Sequence, residues 1–345
     1  MKEGRSTVYN SIVTEEKLSQ CNPKNIELAN DFLDYLTSID RSPTTIISYR
    51  SDLYIFFIWD LEFNNNKYFV DLSKREIAKF QNHAINIWGW SPNRIRRVKS
   101  ALSSMSNYIE NILDDEIPDF KPIVRKIENP VKETVREKTI LTEEQVTYLL
   151  DTLLEQGKLQ NACAVALATF SGARKSELAR FKVDYFSDEN IIYDAIWRTP
   201  EKIKTKGRGG KMGKPLTKYV LLDFKKYLDP WLKKRKELGI ESEWLLVSKQ
   251  GDDYGQIKIS TLDSYAEICG DILGVPFYFH SLRHYLCTKL LSYNLPPMIV
   301  KEWNGWKDLS LVDIYNDREI SEDFEKYFSA DGIKQVDSTT LSDLQ

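Results

Sequence analysis

The sequence predicts a mainly α-helical protein with one small antiparallel β-sheet, divided into a helical N-terminal domain and a mixed α+β C-terminal domain. Apolar residues recur at helical spacing through most of the chain. Its 345 residues exceed the ~250–300 that one hydrophobic core usually supports. A stretch rich in proline and charge separates the two halves at 118–139, where we place the linker.

The N-terminal domain is expected at 26–117, after an N-terminal extension at 1–25. Its first part favours two helices separated by the turn "DRSPTT". "SKREIAKFQNHAINI" and "SPNRIRRVKSALSSMSNYIENIL" supply two more helices. The last of these begins with Ser91 as N-cap and Pro92 in the first helical position. A four-helix domain results.

The C-terminal domain is expected at 140–320, followed by a tail at 321–345. Thr142 and Gln145 have the spacing of a capping box at its first helix. "NACAVALATFSGA" predicts a buried helix, and "NIIYDAIWRTPEKIKTKGRGGKMGKPLTKYVLL" predicts the small sheet, with β-branched and aromatic residues around a glycine-rich turn. In the tail, "EDFEKYFSADGIKQ" predicts a helix that docks on a neighbouring copy of the chain.

Composition excludes several classes of protein. An apolar content of 42% and a charged content of 29% are typical of a soluble globular protein. No apolar run reaches the ~18–20 residues that cross a bilayer, and the first residues lack the apolar segment of a secretory signal. The four cysteines lack paired spacing, which argues against a zinc site or a disulfide framework. We therefore expect a cytoplasmic protein without a membrane partner.

Basic clusters predict phosphate contacts although the net charge is −3. Residues 308–345 hold ten acidic against three basic residues, so the rest of the chain is net positive. Residues 202–218 contain seven Lys or Arg and no acid, and "RIRRVK" forms a second basic run. The candidate DNA contacts from these two clusters are Arg94, Arg96, Arg97, Lys99, Lys206, Arg208 and Lys211.

Two of the three histidines of the chain flank one arginine in "HSLRHYLCTK". His280, Arg283 and His284 have spacings of three and four residues, which place them on one face of a helix. Crowded cation-capable groups repel each other, so a bound anion would relieve the repulsion. A second short motif, "SGARKSEL", places Arg174 after small residues and Glu177 one turn further on.

These motifs, taken in order, resemble those of the tyrosine site-specific recombinases, the phage integrase family. The family pattern contains Arg-x-x-Glu-Leu, here "ARKSEL", a lysine in a β-hairpin, here within "KIKTKGRGG", and His-x-x-Arg-His, here "HSLRH". Gly followed by His or Trp comes next, here "GW", and then a tyrosine nine residues later, here in "DIY". The match spans 140–320, and the helical segment before it resembles the family's core-binding domain.

The resemblance implies a DNA strand-transfer site. Tyr315 would be the nucleophile that forms a 3′-phosphotyrosine, and His280 would accept or orient its proton. Arg174 and Arg283 would bind the non-bridging phosphate oxygens, a task that suits a planar guanidinium.

Trp306 would add an indole N–H where many members have His, and tryptophan cannot serve as acid or base there. Lys204 would protonate the departing 5′-oxygen, with Lys206 as the alternative. Glu177 and His284 would support these groups, with Glu177 orienting Arg174 or His284. No metal or other cofactor is implied.

The resemblance also implies partners and leaves alternatives. A recombinase would bind double-stranded DNA with an inverted-repeat core site, as a homo-tetramer on two DNA sites, with the C-terminal tail exchanged between protomers. A type IB topoisomerase, which uses a similar residue set as a monomer, is one alternative. A helical DNA-binding protein without activity is the other.

Overall fold

Two compact units make up the computed structural model, which describes residues 11–131, 140–205, 214–315, 328–329 and 332–333. The described residues up to 131 form the first unit, and those from 140 on form the second. Each unit has its own hydrophobic core. Helices predominate, and short antiparallel strands supply the rest, which confirms the predicted fold class.

The first unit is helical, as its apolar periodicity predicts. Its helices are α1 (Glu15–Gln20), α2 (Pro23–Ser38), α3 (Pro43–Phe63), α4 (Lys74–Asn86) and α5 (Pro92–Ile112). Local sequence starts several of them: Ser73 and Glu76 form a reciprocal capping box at α4, and Ser91 precedes Pro92 at α5. Phe56 of α3 packs edge-on against Phe80 of α4 with ring centroids 5.0 Å apart. α1 lies within the segment that was expected to be an extension.

The helices of the second unit surround one nearly apolar helix. They are α6 (Glu143–Glu155), α7 (Leu159–Ser171), α8 (Lys175–Leu178), α9 (Lys225–Glu237), α10 (Ile259–Leu273), α11 (Phe279–Ser292), α12 (Pro297–Asn304) and α13 (Ser310–Tyr315). The predicted capping box of Thr142 and Gln145 at α6 is present. α7 is buried along almost its whole length, because its small and apolar side chains leave no polar face.

The strands of the second unit form small antiparallel pairs. They are β1 (Ile191–Ile192), β2 (Ile196–Arg198), β3 (Ile203–Thr205), β4 (Lys214–Leu216), β5 (Tyr219–Leu221), β6 (Val247–Gln250), β7 (Asp253–Gln256), β8 (Phe328–Ser329) and β9 (Gly332–Ile333). β1, β2 and β5 form one sheet in that order. β3 pairs with β4 separately, so that Lys204 lies opposite Pro215.

Two features differ from the sequence predictions. The β6–β7 hairpin was not predicted, although Gly251 at its turn has a φ of +67°, a conformation that glycine adopts readily. In the tail, β8 and β9 pair with each other at residues where a helix was predicted. The rest of the tail, the linker after residue 131 and residues 206–213 lie outside the described residues. In the part of the chain that the structure describes, no helix is long and apolar enough to cross a membrane.

Candidate active site

α11 carries the cation-rich motif "HSLRH" at its first turns. Arg283 lies on the inner face of this helix and is only 1% exposed. Its Nη1 donates to the carbonyl of Gly172 at 2.7 Å, and its Nη2 donates to the carbonyl of Asn304 at 2.8 Å. Arg283 therefore ties together three segments that are distant in sequence: the ends of α7 and α12, and α11 itself.

Gly172 explains the small residues that precede Arg174. It ends α7 with a φ of +62°, which an L side chain rarely adopts. A Cβ at this position would lie 3.1 Å from Leu286 and 3.2 Å from the side-chain oxygen of Asn304. The close approach of α7 to α11 and α12 therefore requires glycine here, and it brings Arg174 to the site.

Arg174 is held by Glu177, the carboxylate of its own motif. Its backbone N–H donates to Oε2 of Glu177 at 3.0 Å, and its Nη1 donates to Oε1 at 2.8 Å. Glu177 is fully buried, whereas the Arg174 side chain is 30% exposed. On the buried side, Nζ of Lys218 lies 2.7 Å from Oε2 of the same carboxylate. Glu177 thus bridges two cations, of which only Arg174 reaches solvent.

Tyr315 lies against the exposed face of the α11 motif. Its hydroxyl oxygen is 2.9 Å from Nε2 of His280. Its ring stacks on His284 with centroids 4.3 Å apart and packs against Trp306 at 4.7 Å. The hydroxyl of Thr288 donates to the Tyr315 carbonyl at 3.2 Å. The tyrosine is therefore fixed at both its backbone and its hydroxyl end.

Trp306 is brought to the site by a turn at the end of α12. Gly305 has a φ of +65°, and a Cβ there would overlap the side chain of Leu216 on β4. Trp306 is 6% exposed, and the guanidinium carbon of Arg283 lies 5.1 Å from its ring centroid. The same carbon lies 5.8 Å from the ring centroid of Tyr315. The two aromatic rings, which pack against each other, thus both lie beside the buried arginine.

Crowded cations shape the protonation states of the site. Burial, and then repulsion from Arg174, lowers the pKa of Arg283 to about 10. Partial burial, and then repulsion from His284, Arg283 and Arg174, lowers the pKa of His280 well below its ordinary value, so the imidazole is neutral at pH 7. Burial alone would raise the pKa of Glu177, but Lys218 and Arg174 outweigh burial and lower it to about 2.

Lys204 occupies the middle of β3 and is partly exposed. Its carbonyl accepts a hydrogen bond from Nη1 of Arg180 at 2.8 Å, and Arg180 also donates to the carbonyl of Ser176 at 3.1 Å. Arg180 therefore connects the strand of Lys204 with α8, which follows Arg174 directly. The alternative lysine, Lys206, lies outside the described residues, as do Arg208 and Lys211.

The basic run on α5, in the first unit, has structural partners of its own. Arg97 donates to both carboxylate oxygens of buried Asp52, at 2.7 and 3.1 Å. The guanidinium of Arg94 lies 4.0 Å from the ring centroid of Trp90, and Arg96 reaches the carbonyl of Pro130 at 3.4 Å. These contacts hold the side chains against the unit itself.

Lys99 does not fit the DNA contact expected of it. It is 4% exposed, and its ammonium donates to Gln81 at 2.8 Å and to the carbonyls of Ile127 and Glu128 at 2.9 and 3.0 Å. Three acceptors use all three of its donor hydrogens. Burial lowers its pKa to about 8. Lys99 anchors the segment after α5 in place of binding a phosphate.

Two site residues escaped the sequence interpretation. Lys218 was counted only within a basic stretch, and Asn304, whose carbonyl binds Arg283, was not noted. Asn304 precedes the glycine that ends α12, so the Gly-Trp pair marked its position. For Lys218, the apolar strand that follows it was the one signal of burial.

Comparison with known proteins identifies the family of this chain. The family model described as the phage integrase family matches residues 139–322, and the chain belongs to this family. Among its relatives is the SPbeta prophage-derived recombinase-like protein YomM of Bacillus subtilis (strain 168), which is 29% identical over 284 residues, 81% of this chain and 82% of the relative. A tyrosine recombinase of Thermosipho africanus (strain TCF52B) is 26% identical over 301 residues, 82% of this chain and 92% of the relative.

Solved structures share the fold at low identity. XerH site-specific recombinase bound to a palindromic difH substrate in a post-cleavage complex gives a TM-score of 0.63 at 18% identity, covering 82% of this chain and 78% of that one. A lambda integrase tetramer bound to a Holliday junction gives 0.61 at 17% identity, covering 85% and 78%.

Proposed function

We propose that this chain is a site-specific DNA recombinase that cleaves and rejoins strands through a 3′-phosphotyrosine on Tyr315. The observation that carries the proposal is the contact of 2.9 Å between the Tyr315 hydroxyl and Nε2 of His280, beside Arg174 and Arg283, of which Arg174 is ion-paired with Glu177. Such a group provides a nucleophile, a proton acceptor and positive charge for a phosphodiester.

Cleavage exchanges one phosphoester bond for another. The Tyr315 oxygen attacks phosphorus, its proton passes to neutral His280, and the bond from phosphorus to the 5′-oxygen breaks. Lys204 gives a proton to that 5′-oxygen, which leaves as a hydroxyl. A 5′-hydroxyl from the partner strand reverses these steps and releases Tyr315. Because bond energy is kept in the phosphotyrosine, the reaction consumes no ATP.

Positive charge on the phosphate comes from the protein itself. Arg174 and Arg283 donate to the non-bridging oxygens, and Trp306 adds its indole N–H. Arg283 has five N–H donors and uses two of its nitrogens on carbonyls, which leaves donors for a phosphate. Glu177 orients Arg174, and His284 supports the Tyr315 ring. In this scheme a metal ion has no step to perform.

The DNA substrate is double-stranded with an inverted-repeat core site, and the active assembly is a homo-tetramer on two DNA sites. A relative by fold, lambda integrase, forms a tetramer on a Holliday junction. We assign DNA core binding to 26–117 and catalysis to 140–320, with Arg94, Arg96, Lys206, Arg208 and Lys211 as candidate contacts and a cytoplasmic location.

A nicked suicide substrate tests the chemistry. Inverted repeats in the DNA that flanks the gene supply candidate sites, and the reaction is run in EDTA without ATP. The parent protein should form a covalent protein–DNA adduct, whereas Tyr315→Phe should form none and still bind DNA, because affinity comes mainly from phosphate contacts. Tyr293→Phe, directly after the helix that carries His280, is the matched control and should form the adduct. An adduct with Tyr315→Phe would show that another residue is the nucleophile.

Deletion of residues 321–345 tests the assembly. The truncated protein should still bind one half-site but fill a full site with less cooperativity, and strand exchange should stop. A gel-shift titration on a full site measures the cooperativity. Unchanged cooperativity with intact strand exchange would exclude the tail as the assembly element, and a protein that relaxes DNA as a monomer would favour the topoisomerase alternative.

A further inference from the structure

Lys218, which the proposed mechanism does not use, lies directly behind Glu177. Its side chain is 1% exposed, and its Nζ is 2.7 Å from Oε2 of Glu177. Glu177 itself is fully buried and holds Arg174 through both the backbone N–H and the guanidinium. Contacts therefore run from buried Lys218 through Glu177 to the guanidinium of Arg174, which faces solvent.

The small sheet fixes the position of Lys218. Its backbone N–H donates to the hydroxyl of Thr199 at 3.0 Å, and its carbonyl accepts from the Thr199 N–H at 2.9 Å. Lys218 directly precedes β5, which pairs with β2. The ammonium is thus placed by the sheet independently of the helix that follows Arg174.

Charge balance gives this buried lysine a purpose beyond stability. A buried ion pair usually adds little net stability, because desolvation offsets the attraction. Arg174 paired with Glu177 alone would carry no net charge toward a phosphate. With Lys218 included, the three groups sum to +1. Burial lowers the pKa of Lys218, and the adjacent carboxylate of Glu177 counteracts this effect.

We infer that Lys218 is a positioning residue for strand cleavage: it fixes Glu177 from the buried side and offsets its charge, so that Arg174 is both oriented and electrostatically available to the scissile phosphate. The inference rests on the proposed function, because it assumes that Arg174 contacts that phosphate. It predicts that loss of Lys218 matters only while Glu177 remains ionised and while the phosphate is anionic.

Two substrates and two variants test this role. Single-turnover adduct formation is measured on a nicked site with either a normal phosphodiester or an uncharged methylphosphonate at the scissile position. Lys218→Met should slow the phosphodiester reaction about 10- to 100-fold, less than the ~10²- to 10³-fold for loss of a donor that contacts the transition state itself, because Lys218 acts through Arg174. On the methylphosphonate it should stay within about threefold of the parent, because the charge that Arg174 meets is absent.

The double variant Lys218→Met with Glu177→Gln removes the carboxylate charge together with the lysine. Arg174 then keeps its +1 charge and a neutral hydrogen-bond partner, so the phosphodiester rate should recover about tenfold over the single variant. Lys226→Met, which breaks the exposed ion pair of Lys226 and Asp151, is the matched control and should leave both rates unchanged.

Equal slowing of both substrates by Lys218→Met, or no slowing of either, would overturn the inference and leave Lys218 a structural role. If circular dichroism shows that Lys218→Met does not fold, the double variant is used to test the inference. A ratio of phosphodiester to methylphosphonate rates near that of the parent supports charge balance, and a ratio that falls tenfold or more contradicts it. Failure of the parent to form any adduct would count against the proposed function instead.

Discussion

Two cation-rich segments, residues 94–99 on α5 and 280–284 on α11, look alike in the sequence but differ in the partners that the fold gives their basic side chains. On α5, Arg97 binds the buried carboxylate of Asp52, and Lys99 donates to three oxygens. On α11, two carbonyls are the hydrogen-bond partners that the described residues give Arg283, and burial, followed by repulsion from Arg174, lowers its pKa.

The difference shows that a run of basic residues does not by itself mark a phosphate site. What matters is the balance between cations and the acidic or carbonyl oxygens that surround them. In the first unit, nearby oxygens satisfy Arg97 and Lys99, and these two side chains stabilise the fold. At the site of Arg174 and Arg283, Glu177 pairs with Arg174, and Lys218 shares the same carboxylate. The second unit therefore retains positive charge for a ligand.

The largest expected effect concerns Lys204. Lys204→Ala should slow cleavage about 10²- to 10⁴-fold, the usual contribution of a general acid. A 5′-phosphorothiolate substrate, whose sulfur leaves without protonation, should restore most of the rate. Rescue of Lys206→Ala instead would assign the acid to Lys206.

A substitution of arginine by lysine on each segment sharpens the comparison next. Arg283→Lys should slow adduct formation about 10²- to 10³-fold, because an ammonium cannot span the carbonyls of Gly172 and Asn304 and also face a phosphate. Arg97→Lys, its matched control on α5, should lower thermal stability and leave the single-turnover rate within about twofold. Similar rate losses for both would remove the distinction between the segments.

The free energy of unfolding at low pH should depend on Glu177, the carboxylate that Arg174 and Lys218 share. The pKa of Glu177 is lowered to about 2, so its contribution is present above pH ~4.5 and is lost as the pH falls toward 2. The double variant Lys218→Met with Glu177→Gln should lack this loss, which is on the order of 3 kcal/mol in the parent. Denaturant unfolding at a series of pH values measures it, and identical pH slopes for the two proteins would contradict the prediction.

The smallest effect separates Lys99 from Arg96. Lys99→Met should destabilise the protein by about 1–2 kcal/mol, because it removes three partly buried hydrogen bonds, and it should not change the salt dependence of DNA binding. Arg96→Ala should leave stability nearly unchanged and lower the slope of log affinity against log salt by about one. A reduced slope for Lys99→Met would show that Lys99 contacts DNA.

The sequence alone determined the features that depend on neighbours within one or two helical turns. Thr142 with Gln145 caps a helix where the spacing predicted, since a capping box needs only four residues, and the structure shows the same local spacing at work in Ser73 with Glu76. The family could likewise be predicted from the sequence, and the family match confirms it. The prediction used a linear pattern, the order of Arg174, His280, Arg283, Trp306 and Tyr315. Their roles in catalysis remain predictions.

Only the tertiary structure decided which lysine serves which purpose. Lys99 and Lys218 both lie in basic runs and are both buried, yet one meets main-chain carbonyls and the other meets Glu177. Their partners come from segments far away in the sequence, so the identity of each partner depends on packing. The β6–β7 pairing was missed in the same way, because short strands are specified by the partner as much as by their own residues.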